Sequence, residues 1–586
     1  MRLKLILLRC SIMLPNRSTP AFRINSLVAQ PSHAGVRPLW VVLLASVWIA
    51  SVCNIALWRA LARLPELSSS QAAFVSVALG LVIGLVTAGL LSLLAWRWTL
   101  KPVIMLFWVS AALGAYFMLT YGIVIDKTMM LNTLQTDVRE SRDLLNWRLL
   151  VTVLVLAVLP CALLWRQLIR LQSPMRQAGA NLTALLTSSA LLVVVLVLFF
   201  QSIASVMRNN PEVRYLINPL NSFYALGLVA ARPFQRNESA ILPLGEDASL
   251  GAGYNAQAKP PLLLLVLGET GRSGNFAVNG YARPTTPELS REHIASQRNA
   301  WACGTSTATA VPCMFSNLGH QAYDSRLANY EGLMDVLQHA GLAVLWLDNQ
   351  SGCKGVCDRI PHADTTQLKV AGLCDSGECF DEIMLQGLDE RIAALSAERR
   401  AKGVVVVMHQ MGSHGPAYFK RSPVAFKKFT PECQDNALQN CTQEGLVNAY
   451  DNSIVYTDHL LASSIRWLKS QAPSSAPALL YVADHGESLG EKNLYLHGMP
   501  YSMAPDVQKR VPWITWLSAE FEQRNRLTTD CLKQRLDAPV THDNYFHSVL
   551  GLMHVQTKVY RQALDIYAGC SQPLDSGAEI AKLLVH

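Results

Sequence analysis

Four stretches of this 586-residue chain place acids and histidines directly behind runs rich in Leu and Val. Glu269-Thr270 follows Pro261–Gly268, and Asp348-Asn349 follows Ala343–Leu347. His409 and then His414 follow Gly403–Met408, and Asp484-His485-Gly486-Glu487 follows Ala478–Ala483. One carboxylate or one imidazole in such a place is ordinarily a cap or a satisfied surface group. Four such ends together are harder to dismiss. Glu269, Asp484 and His485 combine hard oxygen and imidazole donors, a set suited to Zn2+, and Gly486 lets the chain turn sharply beside an ion. His414 and His497 lie in glycine-flanked loops, Gly412-Ser413-His414-Gly415 and Leu496-His497-Gly498, where they could bind a second metal ion or a phosphate. A nucleophile must lie near the metal, and the segment Cys303–Cys313 (CGTSTATAVPC) is the candidate. It reads as a turn entering a helix N-terminus, where free N–H groups stabilise phosphate. A hydroxyl coordinated to a metal ion loses its proton more easily and becomes an alkoxide nucleophile. Residue types do not choose among Thr305, Ser306, Thr307 and Thr309, since any of them also serves as a helix cap.

These residues need a frame. The four apolar runs are short enough for buried parallel strands. Helical patterns such as Tyr330–Ala340 and Leu446–Ser470 lie between them. Strands alternating with helices imply a covered, mostly parallel sheet, and such sheets gather ligands at the carboxyl ends of their strands. Residues 261–586 are therefore expected to form an α/β domain.

The chain before that domain is of another kind. Hydrophobic residues make up 51% of the whole and charged residues 16%, with a mean hydropathy of +0.22; soluble domains carry roughly 25% charged residues. This excludes a disordered chain and argues against a purely soluble enzyme. The apolar excess is concentrated in five runs, 39–58, 72–95, 102–124, 149–165 and 182–204. Each is long enough to cross a hydrocarbon layer of ~30 Å, and none has an ionised side chain in its apolar centre. The segments on one side carry Arg2, Lys4, Arg9, Arg17, Arg23 and Arg37, then Arg97 and Lys101, then Arg166, Arg170 and Arg176, with no acid among them. By the positive-inside rule the N-terminal segment 1–38 is cytoplasmic. Five crossings in 39–204 then put the loop 125–148 and everything after about residue 205 outside. Those eleven cations exceed the net charge of +8, so the rest of the chain sums to −3. The basic charge is an orientation signal and gives no support for a nucleic-acid partner. Residues 205–260 read as a linker, broken at Asn209-Asn210-Pro211 and Asn218-Pro219, with Tyr215, Phe223 and Tyr224 suited to a membrane interface.

The thirteen cysteines agree with that topology. Cys10, Cys53 and Cys161 lie in the membrane half and the other ten in the exported half, an even number that suggests disulfides. Close spacing pairs Cys303 with Cys313, Cys353 with Cys357, Cys374 with Cys379 and Cys433 with Cys441. Elimination leaves Cys531 with Cys570. A four-cysteine zinc site from Cys353, Cys357, Cys374 and Cys379 is the competing reading, disfavoured in an oxidising compartment.

The chain resembles the membrane-bound, lipid A-modifying phosphoethanolamine transferases of the alkaline phosphatase/sulfatase superfamily, the group linked to polymyxin resistance. The resemblance rests on Gly268–Arg272 (GETGR), Asn279–Arg283 (NGYAR), Cys303–Ser316 (CGTSTATAVPCMFS), His409–Pro416 (HQMGSHGP), Asn448–Asp458 (NAYDNSIVYTD), Asp484–Gly490 (DHGESLG) and Leu496–Pro500 (LHGMP). These span nearly the whole exported domain, and Tyr121–Asp137 extends the match into the membrane half. The resemblance implies a bundle of five transmembrane helices, an alkaline-phosphatase-like α/β domain in the periplasm, and a bacterial inner-membrane location. It implies Thr307 as nucleophile, with Glu269, Thr307, Asp484 and His485 around the main zinc ion. His414, His497 and Lys354 would bind phosphate groups or a second zinc ion. Asn132, Thr136 and Glu140 recur every four residues, on one helical face. The resemblance gives that face the donor's ethanolamine headgroup; otherwise it is a capped, solvated interfacial helix. Many relatives have Asn four residues before the lysine, where this chain has Gln350.

The implied donor is phosphatidylethanolamine, attacked by Thr307 with release of diacylglycerol, and the implied acceptor is a phosphate of lipid A. Membrane lipids are the surrounding partners, and the chain is expected to act as a monomer. A core sugar, another glycan or a protein is the alternative acceptor. A sulfatase on the same fold would need a Cys/Ser-x-Pro-x-Arg pattern, whereas Cys303 is followed by Gly-Thr-Ser-Thr. A transporter would place ionisable groups inside the spans, and these have none; a membrane sensor with a degenerate hydrolase domain would have lost a ligand, and none is missing.

Overall fold

The computed structural model describes residues 35–571 apart from positions 137, 171, 236, 252, 253, 255, 376 and 377. Most of the basic segment 1–38, with Arg2 to Arg23 and Cys10, therefore lies outside the described residues, as do 572–586.

Among the described residues, five helical spans are long and apolar enough to cross a membrane: Pro38–Leu61, Ser69–Leu93, Leu100–Tyr121, Trp147–Arg166 and Pro174–Asn209. Their outward faces are Leu, Val, Phe and Trp, including Leu44, Val77, Leu163, Val197 and Phe200, each more than 60% exposed. That surface is stable only against hydrocarbon. The connection after the third span is not one helix. Lys127–Gln135, capped by the Asp126 side chain on the Met129 N–H, ends where Thr136 turns extended (ψ 131°), and a second helix covers Val138–Asp143. This corrects the single helical face expected for Asn132, Thr136 and Glu140: the Thr136 hydroxyl donates back to the Asn132 carbonyl at 2.9 Å, and the chain re-aims before Glu140.

The C-terminal half is built on an eight-stranded sheet. In chain order its strands are β1 (Pro261–Gly268), β2 (Ile294–Trp301), β3 (Ala343–Asp348), β4 (His362–Asp364), β5 (Val404–His409), β6 (Ala476–Ala483), β7 (Arg510–Leu517) and β8 (Val540–Thr541). Across the sheet they run β8-β2-β7-β6-β1-β5-β3-β4, all parallel except β7, which is antiparallel to both neighbours. Alternation splits each apolar run between two cores. Leu263, Leu265 and Leu267 of β1 pack on one face with Val311, Met314, Leu337 and Phe546. Leu262, Leu264 and Val266 pack on the other against the long helix Gln443–Gln471 through Tyr450, Ile454 and Ile465. Because the strands are parallel, β1, β2, β3, β5 and β6 all end at the same edge, which brings Glu269, Cys303, Asp348, His409 and Asp484 together.

The two halves are packed on each other at that edge. Met499 and Ala504 share an apolar cluster with Leu57, Leu61, Val75 and Val124 of the membrane half. Tyr495 and Leu496 pack against Tyr116, Tyr121 and Met129.

The exported cysteines are bonded as 303–313, 353–357, 374–379, 433–441 and 531–570. Removing a native bridge from a small domain costs about 2–5 kcal/mol. Unfolded, unreduced protein is expected to yield three thiols to a thiol reagent, from Cys10, Cys53 and Cys161. Five or more would reject this pairing.

Candidate active site

Glu269, Asp484 and His485 leave the ends of adjacent strands β1 and β6, so backbone pairing sets their spacing. One ligand atom from each lies within 4.8 Å of the others, and all three side chains are buried. Gly486 makes the approach possible: a Cβ there would stand 2.0 Å from the Val507 carbonyl oxygen. The His485 Nδ1–H donates to the Gly486 carbonyl at 2.8 Å, which leaves Nε2 as a lone pair aimed at the acids, 3.4 Å from Asp484 Oδ2 and 3.5 Å from Glu269 Oε1.

The helix Thr307–Met314 begins at the same place. Its hydroxyls are sorted by their partners. Thr305 Oγ1 donates to the Met499 carbonyl at 2.6 Å, and Ser306 Oγ reaches Thr309 Oγ1 at 3.4 Å. Thr307 Oγ1 donates to Glu269 Oε2 at 3.0 Å and lies 3.4 Å from His485 Nε2. Of the four candidates left open by residue type, Thr307 alone has its hydroxyl bonded to the acid–imidazole cluster.

That cluster is electrically incomplete as protein alone. Glu269 and Asp484 are 1% and 0% exposed. Burial, with the Asp484 charge, holds Glu269 above the ordinary carboxylate range, and burial raises Asp484 to about 6. Burial lowers His485 to about 4. Asp484 Oδ1 accepts from the Thr270 and His485 N–H groups, but buried Oδ2 has no hydrogen-bond partner. Buried, repelling carboxylates with an orphaned oxygen beside a neutral imidazole and a hydroxyl fit a divalent cation, and the O/N donor set suits zinc.

The remaining expected residues form a second layer. His497 and His414 follow His485 in series, with the His485 and His497 rings tilted at 44° and 4.3 Å between centroids and His497 and His414 edge to face at 5.6 Å. His414 Nδ1 is buried without a partner. Burial, then the charges of His497 and Arg421, push His414 well below the usual imidazole range, and burial lowers His497. Lys354 Nζ is held by the Ser351 carbonyl and hydroxyl at 3.1 and 2.7 Å. Glu140 Oε1 comes 3.9 Å from His414 Nε2 and accepts from Gln350 Nε2 at 3.3 Å; the same amide donates to Glu269 Oε2 at 3.1 Å. Gln350 thus joins the membrane-side loop to the cluster. Among the described residues, Glu140 alone of the three headgroup candidates bonds to this layer.

Two groups at the site were not singled out from sequence. Glu487, fully buried, stands 3.3 Å from His497 Nδ1 and orients that ring; its place two residues after His485 was the available signal. The Asp143–Arg421 pair had none. Arg421 donates to Asp143 Oδ2 at 2.9 Å, to Glu378 Oε2 at 3.0 Å and to the His414 carbonyl at 2.9 Å, and Lys420 also reaches Asp143.

With this geometry in place, known proteins bear on it. Residues 261–555 match the Sulfatase family, and residues 83–234 match the family described as Phosphoethanolamine transferase EptA/EptB. The chain is 39% identical to Phosphoethanolamine transferase EptA of Escherichia coli K12 over 541 residues, 90% of this chain and 96% of that one. It is 35% identical to Phosphatidylethanolamine transferase Mcr-1 of Escherichia coli over 532 residues, 89% and 95% of the two chains. Among solved structures it resembles the integral membrane lipooligosaccharide phosphoethanolamine transferase A of Neisseria meningitidis, with a TM-score of 0.86, 33% identity and coverage of 91% of this chain and 99% of that one.

Proposed function

Because the chain belongs to the EptA-type phosphoethanolamine transferases, we propose that it moves phosphoethanolamine from phosphatidylethanolamine to a phosphate of lipid A at the periplasmic face of the bacterial inner membrane. The observation that carries this reading is the Thr307 hydroxyl, bonded to Glu269 beside His485 at an edge packed against the membrane half. The relatives' names support the activity and the donor. Residues 1–38 are then cytoplasmic, 39–204 span the membrane, 205–260 link, and 261–586 form the transferase domain.

The reaction has two displacements. Thr307 Oγ attacks phosphorus, its proton taken up by Glu269 Oε2, the acceptor it already faces at 3.0 Å. The phosphorus–glycerol oxygen bond breaks, and the glycerol oxygen leaves as diacylglycerol with the proton that Glu269 took up. A lipid A phosphate oxygen then attacks the phosphoethanolaminyl-threonine, the bond to Thr307 Oγ breaks, and the proton released by the attacking phosphate returns through Glu269 to the Thr307 hydroxyl. Glu269, Thr307, Asp484 and His485 would hold the zinc ion. When bound, it supplies positive charge that lowers the hydroxyl pKa and polarises a phosphoryl oxygen. His414, His497 and Lys354 would hold the phosphate groups or a second ion, Glu487 would steady the His497 ring, and Glu140 would offer its charge to the donor's ammonium group, with Asn132 and Thr136 reaching the headgroup from the helix before the break at Thr136. Binding both lipids beside the membrane turns a three-dimensional search into a local one.

Mass spectrometry of lipid A from cells with and without the chain tests this reading. Added phosphoethanolamine on lipid A is the expected result; its absence, with the group found on a core sugar, glycan or protein, assigns a different acceptor. Chelation of the purified protein is expected to abolish transfer, and added zinc to restore it. Transfer that survives complete metal removal defeats the metal assignment.

A further inference from the structure

His542 lies outside every motif named above, yet its ring joins the two segments that carry the nucleophile and a metal ligand. It opens the turn His542–Asn544 behind β8, and its side chain is fully buried. The Ala483 carbonyl, 3.0 Å from Nε2, can only accept, so Nε2 carries the proton. The Cys303 N–H, 3.3 Å from Nδ1, can only donate, so Nδ1 is the lone pair. Ala483 immediately precedes Asp484, and Cys303 stands four residues before Thr307. The other side of the Cys303 peptide is gripped from the same turn: its carbonyl accepts from His320 Nδ1 at 2.6 Å, and the His320 N–H donates to Asp543 Oδ1 at 2.8 Å. The turn itself is closed, with the Thr541 N–H on Asn544 Oδ1 and the Asp543 N–H on Thr541 Oγ1.

We propose that His542 is a positioning residue that sets the distance between Thr307 and Asp484 by bonding at once to the backbone at the base of each. The proposal rests on the reading of Thr307 and Asp484 above. Strands β2 and β6, which lead into the two segments, are not neighbours in the sheet: β7 separates them. Ladder hydrogen bonds therefore do not join them directly, and one imidazole does. Groups one layer removed from a metal typically alter affinity or activity by about 10–100-fold when lost.

The test compares full-length wild type with His542→Ala and His542→Asn, measuring zinc affinity by chelator competition, kcat and KM on a fluorescent phosphatidylethanolamine, and melting temperature. In His542→Ala, zinc affinity is expected to fall at least about tenfold and kcat at least about tenfold, with KM within about threefold. His542→Asn, whose side-chain oxygen takes the place of Nδ1, is expected to recover part of kcat while the bond to Ala483 stays lost. Wild-type zinc affinity and kcat per folded molecule in both variants, whatever the melting temperature, would overturn the proposal. If the alanine variant does not fold, the asparagine variant decides on the same two quantities. Failure of wild type to turn over the lipid refutes the donor reading alone, since zinc affinity still reports on His542.

Discussion

Thr307→Ala is expected to yield a folded protein that transfers no phosphoethanolamine. Thr307 is 4% exposed, and its hydroxyl bonds into the cluster at 3.0 Å. Losing that bond costs about 1 kcal/mol of stability, small beside a total of roughly 5–15 kcal/mol. The chemical loss is of another order, because the proposed covalent intermediate on Thr307 cannot form; deleting a covalent nucleophile commonly costs on the order of 10^4-fold or more. Thr305→Ala, by contrast, removes a bond to the Met499 carbonyl and leaves the cluster intact. It is expected to retain transfer within about tenfold, as a loop-positioning bond would allow. Lipid A mass spectra from cells expressing each variant, with melting curves on the purified proteins, separate the two. Full activity in Thr307→Ala would move the nucleophile elsewhere.

The second large effect is expected at Arg421. The Asp143–Arg421 ion pair is buried, with side chains 3% and 4% exposed. Arg421→Ala leaves Asp143 and Glu378 short of a partner and removes the donor to the His414 carbonyl. Breaking a buried pair from one side costs about 3–5 kcal/mol, enough to reduce the amount of folded protein in the membrane. Transfer per folded molecule is expected to fall as well, since His414 loses its backbone anchor. Asp143→Asn keeps an acceptor oxygen for the guanidinium and should cost less. The check is a double-mutant cycle of Asp143→Ala and Arg421→Ala read by thermal melting: clearly non-additive losses are expected, and additive losses would show that the two do not act as a unit.

The contrast between these sites explains what was legible in the sequence. Glu269, Asp484 and His485 could be read because parallel strands with unbroken apolar sequences announce their own ends. The strand β2 (IASQRNAW) was not read because Ser296, Gln297, Arg298 and Asn299 hide its pattern, and β7 because Pro512 sits inside it. The apolar spans were legible for the same reason as β1, an unbroken run. Thr307 could be narrowed only to four hydroxyls by residue type, since which of them faces the acids depends on the helix start at Ser306. The break at Thr136 was invisible because Thr, Asp and Val at 136–138 neither forbid nor require a helix. Asp143 and Arg421 are 278 residues apart, and no local rule links them.

The packing of Leu496–Ala504 onto the membrane half has a pharmacological consequence. This segment carries His497, and its neighbour Gly498 lies against Met129 so closely that a Cβ would stand 2.5 Å from the Met129 methyl group. The candidate site thus has two walls, one made by the loops that follow β5 and β6 and the other by the membrane-side connection that carries Met129 and Glu140. An inhibitor selected against an excised soluble fragment meets one wall, with Met499 and Leu496 laid bare as sticky surface. A compound selected against the intact enzyme meets both walls at once, including Glu140, which stands 3.9 Å from His414.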